Sequence, residues 1–558
     1  MLFCAVKEYT MLKNRFLLYT LFIALLFSLL FTFTGCAKRG AITGGLKDTI
    51  PPVMVGSSPR NMSTQFKGNE IRIDFDEYIK IKDVNKQLII SPPMNEQPDI
   101  IPMGNASKFI SIKIKDTLEE NTTYSFNFGQ SIIDNNEGNP YSQFRFVFST
   151  GTYIDSLTLN GRIKDAYSKD VDNFVTVMLY EANEKFNDST IYNEKPRYVT
   201  NTLDSMVNYS LQNLKEGKYH LFALKDQNNN YRYDPKTDKI AFLPYTVSVP
   251  TDTVYLLELF KEQPEFKPGR VTQASSNRLY IGHQGKAKNF TVDVKNGTGT
   301  EDIRSLTTNV PDKDSLQVWL PRDIQADSLK VTMRYNDSIK EFTPKFKEMK
   351  AKDSLTIEAV QRGNLHFRDK FTLKTATPVV NIDSTKISLI DKDSVAVRFS
   401  LKHIPFEQRV EFDFEKEENQ KYNFTMMPGA FEDFYGKQND TLNYKLSTRS
   451  YADYGNLRVN LQNVDRFPII LEITDPKGKV IASEYSEGET QVNFDLLEPN
   501  GFTIRLIYDD NANGVWDSGN YMDKRQPEEV IYLKMPDGKP VDVRANWDVE
   551  QPFILPVR

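Results

Sequence analysis

Short runs in which apolar and polar residues alternate are the feature that most constrains this fold. The run EIRIDFDEYI (residues 70–79) has apolar side chains at alternate positions, and FISIKIKDTL (109–118) and FTVDVKN (290–296) repeat the pattern. A period of two is typical of a strand with one buried face, and we find no long amphipathic helical period. Turn-forming segments such as DNNEGNP (134–140) separate the runs. The sequence therefore predicts an all-β chain of sandwiches.

Length and composition indicate several folded domains and no nucleic-acid partner. At 558 residues the chain has room for three to five domains. Its 39% hydrophobic and 12% aromatic residues are enough to form cores. The formal net charge of −5 gives no basic footprint for nucleic acid.

The N-terminus has the pattern of an export signal. Lys13 and Arg15 precede an apolar run (residues 16–33) that leads into Gly35-Cys36. This end resembles a bacterial lipobox, which implies a signal peptide at residues 1–35 and a lipidated Cys36 as the first residue of the mature chain. The alternative is an uncleaved membrane anchor, because about 20 apolar residues can span a bilayer.

The segment after Cys36 bears on where the protein is anchored. Residues 36–50 form a Gly-containing tether that leads into Pro51-Pro52. Ala37 does not resemble the aspartate that retains some lipoproteins in the inner membrane, and no acidic cluster resembles a surface-export signal. We therefore expect an outer-membrane protein attached through its lipid, with the periplasmic face favoured over the cell surface. Cys4 lies upstream of the cleavage site, so the mature chain should have no disulfides.

Residues 51–152 carry a family resemblance. The segments PRNMSTQFKGNEIRIDFDEYI, LEENTTYSFNFGQSIIDNNEGNP and FRFVFSTG together resemble the bacterial Ig-like domain first described in S-layer proteins. With the tether in front, the layout is similar to a family of Bacteroidetes Ig-like lipoproteins. The resemblance implies a module of the cell envelope rather than a reaction.

Residues 153–265 resemble a second type of sandwich. Their runs LNGRIKDA (159–166), NFVTVMLYEA (173–182) and NYSLQNLKEGKYHLFALKD (208–226) are similar to the carboxypeptidase regulatory-like, or prealbumin-like, fold. A C-terminal unit, residues 451–558, repeats this plan. Between them, residues 266–450 predict one or two further β-sandwich domains without a recognised family. The expected architecture is a multidomain string of Ig-like and prealbumin-like sandwiches behind a lipoprotein signal peptide.

Two loops share one spacing of Asp and Asn. The segments DQNNNYRYD and DDNANGVWD place these residues at positions 1, 3, 5 and 9, and each follows a leucine, a Gly-containing turn and an alternating strand. The first copy carries Asp226, Asn228, Asn230 and Asp234, and the second carries Asp509, Asn511, Asn513 and Asp517.

Two interpretations of these loops stay open. Oxygen ligands at this spacing resemble the calcium loops of EF-hands and of adhesin B-type repeats, which makes calcium a candidate cofactor. Position 12, where an EF-hand has a bidentate glutamate, is Thr237 in one copy and Asn520 in the other, so any affinity should be weak. Alternatively, Asp and Asn cap the turns of metal-free hairpins.

A second recurring pattern is Asp followed by Ser or Thr and then an apolar residue. It resembles the acceptor motif of Bacteroidetes O-glycosylation, although Asp-Ser is also a good turn before a strand. The candidate acceptors are Thr117, Ser156, Thr253, Ser315, Ser328, Ser354, Ser394 and Thr441.

Motifs for catalysis are weak. The four histidines are scattered, and we find no nucleophile elbow, phosphate loop or Cys/His metal pattern. We therefore expect a non-catalytic, lipid-anchored envelope protein with a structural or adhesive role and envelope proteins or glycans as partners. The alternatives are a glycan-binding lipoprotein of a polysaccharide-uptake system and, behind it, a β-sandwich hydrolase.

Overall fold

The protein folds into consecutive β-sandwiches. The computed structural model describes residues 48–203, 207–311, 313–347, 349 and 353–557. Its strands pair mostly antiparallel, which confirms the predicted all-β fold. We group them into units 1 to 5. In each unit the alternate side chains of the strands fill a separate apolar core.

Unit 1 contains the strands β1 (Met54–Ser58), β2 (Glu70–Ile81), β3 (Ile89–Ser91), β4 (Asp99–Ile101), β5 (Ser107–Lys113), β6 (Thr123–Asn127), β7 (Ile132–Asp134) and β8 (Arg145–Ser149). One sheet has the order β1-β2-β5-β4, with β7 beside β2, and the other has the order β3-β6-β8. The alternation predicted for β2 is present, since Ile71, Ile73 and Phe75 are all buried. These side chains face the β3-β6-β8 sheet across the core.

Unit 2 contains the strands β9 (Leu157–Asp165), β10 (Thr176–Glu181), β11 (Tyr198–Asn201), β12 (Asn208–Leu214), β13 (Gly217–Lys225), β14 (Lys239–Phe242), β15 (Val247–Val249) and β16 (Val254–Leu259). Its sheets are β12-β9-β16 and β11-β10-β13-β14, with β15 beside β13. Alternate side chains of the larger sheet face opposite ways: Leu221 and Ala223 lie in the unit's core, while Phe222 and Leu224 belong to a second apolar cluster outside it.

Unit 3 contains the strands β17 (Lys267–Ser275), β18 (Arg278–Gln284), β19 (Phe290–Asn296), β20 (Asp302–Ile303), β21 (Leu306–Asn309), β22 (Ser315–Trp319), β23 (Leu329–Tyr335) and β24 (Ser338–Phe342). They form the sheets β17-β18-β22-β21 and β20-β19-β23-β24. Phe260 and Phe266 flank the connection from unit 2, and each is buried, the first against unit 2 and the second in the core of unit 3.

Unit 4 contains the strands β25 (Ile357–Ala359), β26 (Gly363–Asn364), β27 (Phe371–Thr375), β28 (Val379–Ile382), β29 (Ile387–Ile390), β30 (Phe399–Ile404), β31 (Arg409–Phe414), β32 (Lys421–Met426), β33 (Phe431–Asp433) and β34 (Leu442–Ser447). The sheets β25-β27-β31-β30 and β26-β34-β32-β29 enclose its core, and β28 pairs with β33. The region predicted to hold one or two sandwiches therefore contains two separate cores, those of units 3 and 4.

Unit 5 contains the strands β35 (Gly455–Gln462), β36 (Ile469–Thr474), β37 (Val480–Ser486), β38 (Gln491–Leu497), β39 (Asn500–Tyr508), β40 (Val530–Tyr532), β41 (Val541–Val543) and β42 (Asp548–Ile554). Its sheets are β38-β35-β42 and β37-β36-β39-β40, with β41 beside β39. Unit 5 matches unit 2 strand for strand, including a parallel last strand: β42 pairs with β35 as β16 pairs with β9. This correspondence extends the repeat that the two Asx loops indicate.

Helical structure is sparse in the described part of the chain. There are two single-turn α-helices, α1 (Val84–Gln87) and α2 (Thr190–Asn193). Short 3₁₀ turns also occur at Ser384–Lys386, Pro405–Glu407 and Tyr451–Asp453. None of the helices that the structure describes has the length and apolar character needed to cross a bilayer. The apolar run at residues 16–33 and Cys36 lie outside the described residues.

The string of sandwiches folds back on itself, because unit 5 packs against unit 2. Arg505 of unit 5 donates to the carbonyl oxygen of Tyr167 in unit 2 at 3.2 Å. Neighbouring units also contact each other: Gln408 joins unit 4 to unit 3 through Gln317, and Arg368 joins unit 4 to unit 5 through Glu484. Units 2 to 5 therefore form a closed circuit, in which units 2 and 3 are joined by the chain between Phe260 and Phe266, with unit 1 attached to unit 2.

Candidate functional site

The first Asx loop, loop A (residues 226–238), is held by its own aspartates. Asp226 follows β13 directly and is buried. Its carboxylate accepts hydrogen bonds from the backbone N–H groups of Asn228 at 3.0 Å and Tyr231 at 2.7 Å. Asn230 accepts from the N–H of Arg232 at 2.8 Å, and Asp234 from that of Lys236 at 2.9 Å. These are the bonds of Asx turns, in which a short side chain replaces a backbone acceptor.

The second Asx loop, loop B (residues 509–528), has the same construction. Asp509 is fully buried directly after β39, and its carboxylate accepts the N–H groups of Asn513 at 3.1 Å and Gly514 at 2.7 Å. The side-chain amides of Asn511 and Asn513 both donate to one oxygen of Asp517, at 2.5 and 2.6 Å. In both loops the first aspartate accepts from the N–H five residues ahead, as the shared spacing requires.

One further acid closes each loop, and the sequence pattern did not reveal it. Asp238 accepts the N–H of Gln227 at 3.1 Å and that of Asp234 at 2.9 Å. Glu528 does the same in loop B, accepting from the N–H groups of Asp510 at 3.0 Å and Asp517 at 2.8 Å. Sequence spacing does not reveal that the two acids correspond, because Asp238 follows Asp234 by 4 residues whereas Glu528 follows Asp517 by 11.

The acidic side chains of each loop lie close together and repel one another. Burial raises the pKa of Glu528, and the nearby charges of Asp509 and Asp517 raise it further, while the donated N–H groups oppose the shift. Burial likewise raises the pKa of Asp226, with the charge of Asp238 adding to it. The donated N–H groups thus favour the charged forms of Glu528 and Asp226.

In the described geometry the side chains of both loops bond to the backbone and to each other. Calcium needs six to eight oxygen ligands, and the buried carboxylates of Asp226 and Asp509 each accept two backbone N–H groups in place of such a ligand role. Asn511 and Asn513 turn their amide nitrogens, not their oxygens, toward Asp517. No group of three or more His, Cys, Asp or Glu residues in the described part of the chain is placed to hold a metal ion. The calcium hypothesis therefore stands on the spacing alone.

Removing the first aspartate of loop B separates the two interpretations. We expect Asp509→Ala to lower the free energy of unfolding by about 1–3 kcal/mol, because two backbone N–H groups lose their acceptor. The loss should be equal in millimolar calcium and in chelator, measured as the shift in Tm of the full chain. Asp510→Ala is the matched control, since the side chain next in sequence is exposed and loses only a surface ion pair with Arg466, which contributes about 1 kcal/mol or less. A rise in Tm with calcium that disappears in Asp509→Ala would instead show that loop B binds the metal.

The additional residues of loop B form the contact with unit 2. Between Asp517 and Glu528 the chain leaves unit 5, and the hydroxyl of Ser518 donates to the carbonyl of Lys261 at 2.5 Å. The ring of Tyr521 enters the apolar cluster on the outer face of unit 2, with its centroid 5.6 Å from that of Phe222 and 5.3 Å from that of Phe242. Loop A lacks this insertion. The two loops therefore share a turn structure, but only loop B has the inserted segment that reaches the other unit.

Gly519 allows this close approach. A Cβ atom at this position would lie 2.6 Å from the ring of Phe260 and 2.8 Å from the carbonyl oxygen of Arg525. Because the second neighbour is backbone of the insertion itself, any side chain at position 519 would distort the insertion as well as collide with Phe260 of unit 2.

A buried arginine forms the second part of the same contact. Arg505 on β39 donates to Glu472 on β36 at 2.6 Å and to the hydroxyl of Tyr532 at 3.0 Å. Its guanidinium carbon lies 3.9 Å from the ring centroid of Tyr167 in unit 2, and the Tyr532 hydroxyl donates to the Tyr167 carbonyl at 2.7 Å. The ring of Trp516 packs on Tyr167 from loop B, at 4.6 Å between centroids. Tyr167 is thus enclosed by unit 5.

The proposed O-glycosylation acceptors lie where strands begin or turns end. Ser315 and Ser328 are half-buried, at the first residue of β22 and directly before β23. The others are exposed, namely Thr117, Ser156, Thr253, Ser354, Ser394 and Thr441. Exposure permits modification, and glycosylation at these positions stays a prediction.

Comparison with known families and structures concerns mainly the N-terminal part. Residues 48–150 match the family described as bacterial Ig-like domain. Unit 1 is similar to a bacterial Ig-like domain. This confirms the family resemblance of the first sandwich and extends over the strands of unit 1 only. Comparison with curated proteins gives no match.

Solved structures share only a loose likeness with the whole chain. The S-layer protein rSbsC is 11% identical, with 88% of this chain and 67% of that chain covered, at a TM-score of 0.15. The BSP domain of a biofilm-associated protein is 9% identical, with 68% and 92% covered, at a TM-score of 0.13. A titin fragment is 10% identical, with 44% and 91% covered, at 0.14. These scores carry no argument about function.

Proposed function

We propose that the protein is a non-catalytic, lipid-anchored component of the cell envelope with a structural or adhesive role. The observation that carries the proposal is the contact between units 2 and 5, in which Arg505, Trp516 and Tyr521 of unit 5 are enclosed with residues of unit 2. Domains in one chain move relative to each other unless their interface is large and apolar. A contact of this kind favours a scaffold of fixed shape.

The shape of such a scaffold suits a role in positioning other molecules. Unit 1, which follows the tether, is attached to unit 2 through Arg197, whose side chain pairs with Glu119 and donates to Thr122 at 3.1 Å. The tether would place this end at the outer membrane, with the circuit of units 2 to 5 beyond it. Faces and edge strands of that circuit would then be presented to envelope proteins or glycans.

Lipid anchoring is tested by replacing the proposed lipidated residue. We expect Cys36→Ala to abolish incorporation of a clickable fatty acid into the protein and to move it from the membrane fraction to the soluble fraction. Cys4→Ala is the matched control, because Cys4 is the only other cysteine of the chain and lies in the segment to be removed. Fatty-acid labelling that persists in Cys36→Ala, or that is lost in Cys4→Ala, would contradict the proposal.

The side of the outer membrane on which the protein lies can be determined in cells that express the unsubstituted chain. Protease added to intact cells should leave a periplasmic protein whole and degrade it only after the outer membrane is permeabilised. Degradation in intact cells would move the proposal to the cell surface.

A further inference from the structure

A cleft lined mainly by polar residues lies between units 1 and 2, away from both Asx loops. It has a volume of about 500 Å³, within the range of about 300–1,000 Å³ usual for small-molecule sites. One wall comes from β6 and β8 of unit 1 and the other from β9 and β12 of unit 2, with β11 between them. The cleft is therefore formed by two sandwiches that face each other across a junction.

Two arginines from opposite walls give the cleft its charge. Arg145 lies on β8 and Arg162 on β9, and both line the cleft. No acidic side chain is among the described residues that line it. Neither guanidinium has an ion pair or donates a hydrogen bond within the described part of the chain, although carboxylates outnumber basic side chains by 75 to 70 in the sequence. Two free arginines facing one space mark a site for an anion.

Uncharged polar side chains accompany each arginine. Asn127 is the cross-strand partner of Arg145, and Asn208 is the partner of Arg162. Directly opposed residues of paired strands point to the same face of the sheet, so each guanidinium has an amide beside it. Asn160 and its partner Ser210 continue the wall of unit 2. Amides and hydroxyls of this kind bond to the hydroxyl groups of a ligand.

Aromatic side chains do not supply a stacking surface here. Tyr209 is the one aromatic residue among the described residues that line the cleft, and it is buried, with its hydroxyl donating to the carbonyl of Tyr255 at 3.3 Å. Its ring lies across Gly161, where a Cβ atom would collide with it. Aromatic stacking is therefore not available here, and charge and hydrogen bonds would decide which ligand is selected.

We propose that this cleft binds an acidic saccharide, with its carboxylates on Arg145 and Arg162 and its hydroxyls on the neighbouring asparagines. Arg145 is half-buried, and burial lowers its pKa, so the charge pays a desolvation cost that a bound carboxylate would offset. The volume accommodates a short oligosaccharide rather than a folded partner. The inference does not depend on lipid anchoring or on a scaffold role.

The probe for the test is a trimer of galacturonic acid, compared with a neutral galactose trimer of equal length. Calorimetric titration of the detergent-solubilised full chain should show binding of the acidic trimer that weakens with added salt, and no binding of the neutral one. Equal binding of both trimers, absence of binding, or tighter binding of a glutamate-rich peptide would overturn the proposal.

Two variants locate the binding in the cleft. Arg162→Gln, on an exposed side chain, should weaken the acidic trimer about tenfold or more while the Tm stays the same. Arg145→Gln should have a similar effect, and its Tm shows whether the half-buried side chain also supports folding. Arg60→Gln is the matched control, because Arg60 is exposed on unit 1 and does not line the cleft. An unchanged affinity in Arg162→Gln would refute the assignment.

Discussion

Replacing Tyr521 with alanine is expected to release unit 5 from unit 2. The side chain is 1% exposed and fills the space between Phe222 and Phe242 of unit 2. Truncating a buried aromatic residue typically costs about 3–5 kcal/mol, because apolar contacts are lost and a cavity remains. The loss should appear as weaker hydrogen-exchange protection of the β14 amides, which lie under this contact.

Two controls isolate the packing contribution of the ring. The hydroxyl of Tyr521 is buried without a hydrogen-bond partner in the described part of the chain, so Tyr521→Phe should keep the contact or strengthen it slightly. Met522, next in sequence, is 57% exposed, and Met522→Ala should leave the protection unchanged. A loss in Tyr521→Ala no larger than that in Met522→Ala would mean that the ring does not hold the units together.

Replacing Arg505 with methionine is the second large effect that we expect. The arginine side chain is 2% exposed and that of Glu472 is 12% exposed, so the variant leaves a buried carboxylate without its partner. Breaking a buried pair in this way costs about 3–5 kcal/mol. Tryptic cleavage after Lys524 or Arg525 in loop B should become about a hundredfold faster or more, since it tracks the population of the undocked form.

The same pair provides its own control. Arg505→Met combined with Glu472→Met removes both charges and should recover about 0.5–3 kcal/mol of the loss. Arg458→Met breaks an exposed pair on unit 5, where the side chains of Arg458 and Glu550 are 49% and 64% exposed, and should change stability by about 1 kcal/mol or less. Equal cleavage rates in Arg505→Met and Arg458→Met would show that the buried pair does not secure the contact.

Both predictions concern the interface between units 2 and 5, and we expect that interface to open cooperatively. Trp516 connects the two substituted residues, because it packs on Tyr167, which Arg505 contacts, and against the apolar cluster that contains Tyr521. If docking is lost in either variant, the second substitution should add little, because the two sites share one opening event. A scaffold in which units 2 to 5 close on each other would thus open in one step.

Local patterns in the sequence determined the strands and the loops. The alternation of EIRIDFDEYI predicted β2 and its buried face, because side chains on a strand point to opposite faces in turn. The shared offsets of the two Asx loops predicted matching turns, because an aspartate can reach an N–H group only a few residues ahead. Each of these features depends on neighbours along the chain.

Tertiary structure alone decided the features that join distant parts of the chain. Glu528 takes the place in loop B that Asp238 takes in loop A, although the insertion changes its spacing. Arg505 bonds to Tyr167 across 338 residues, and Arg145 and Arg162 line one cleft only because two sandwiches pack side by side. Alternation in a strand determines on which face of the sheet a side chain lies. It does not determine which other unit packs against that face. That choice depends on shape and charge across units, and those come together only when the chain is folded.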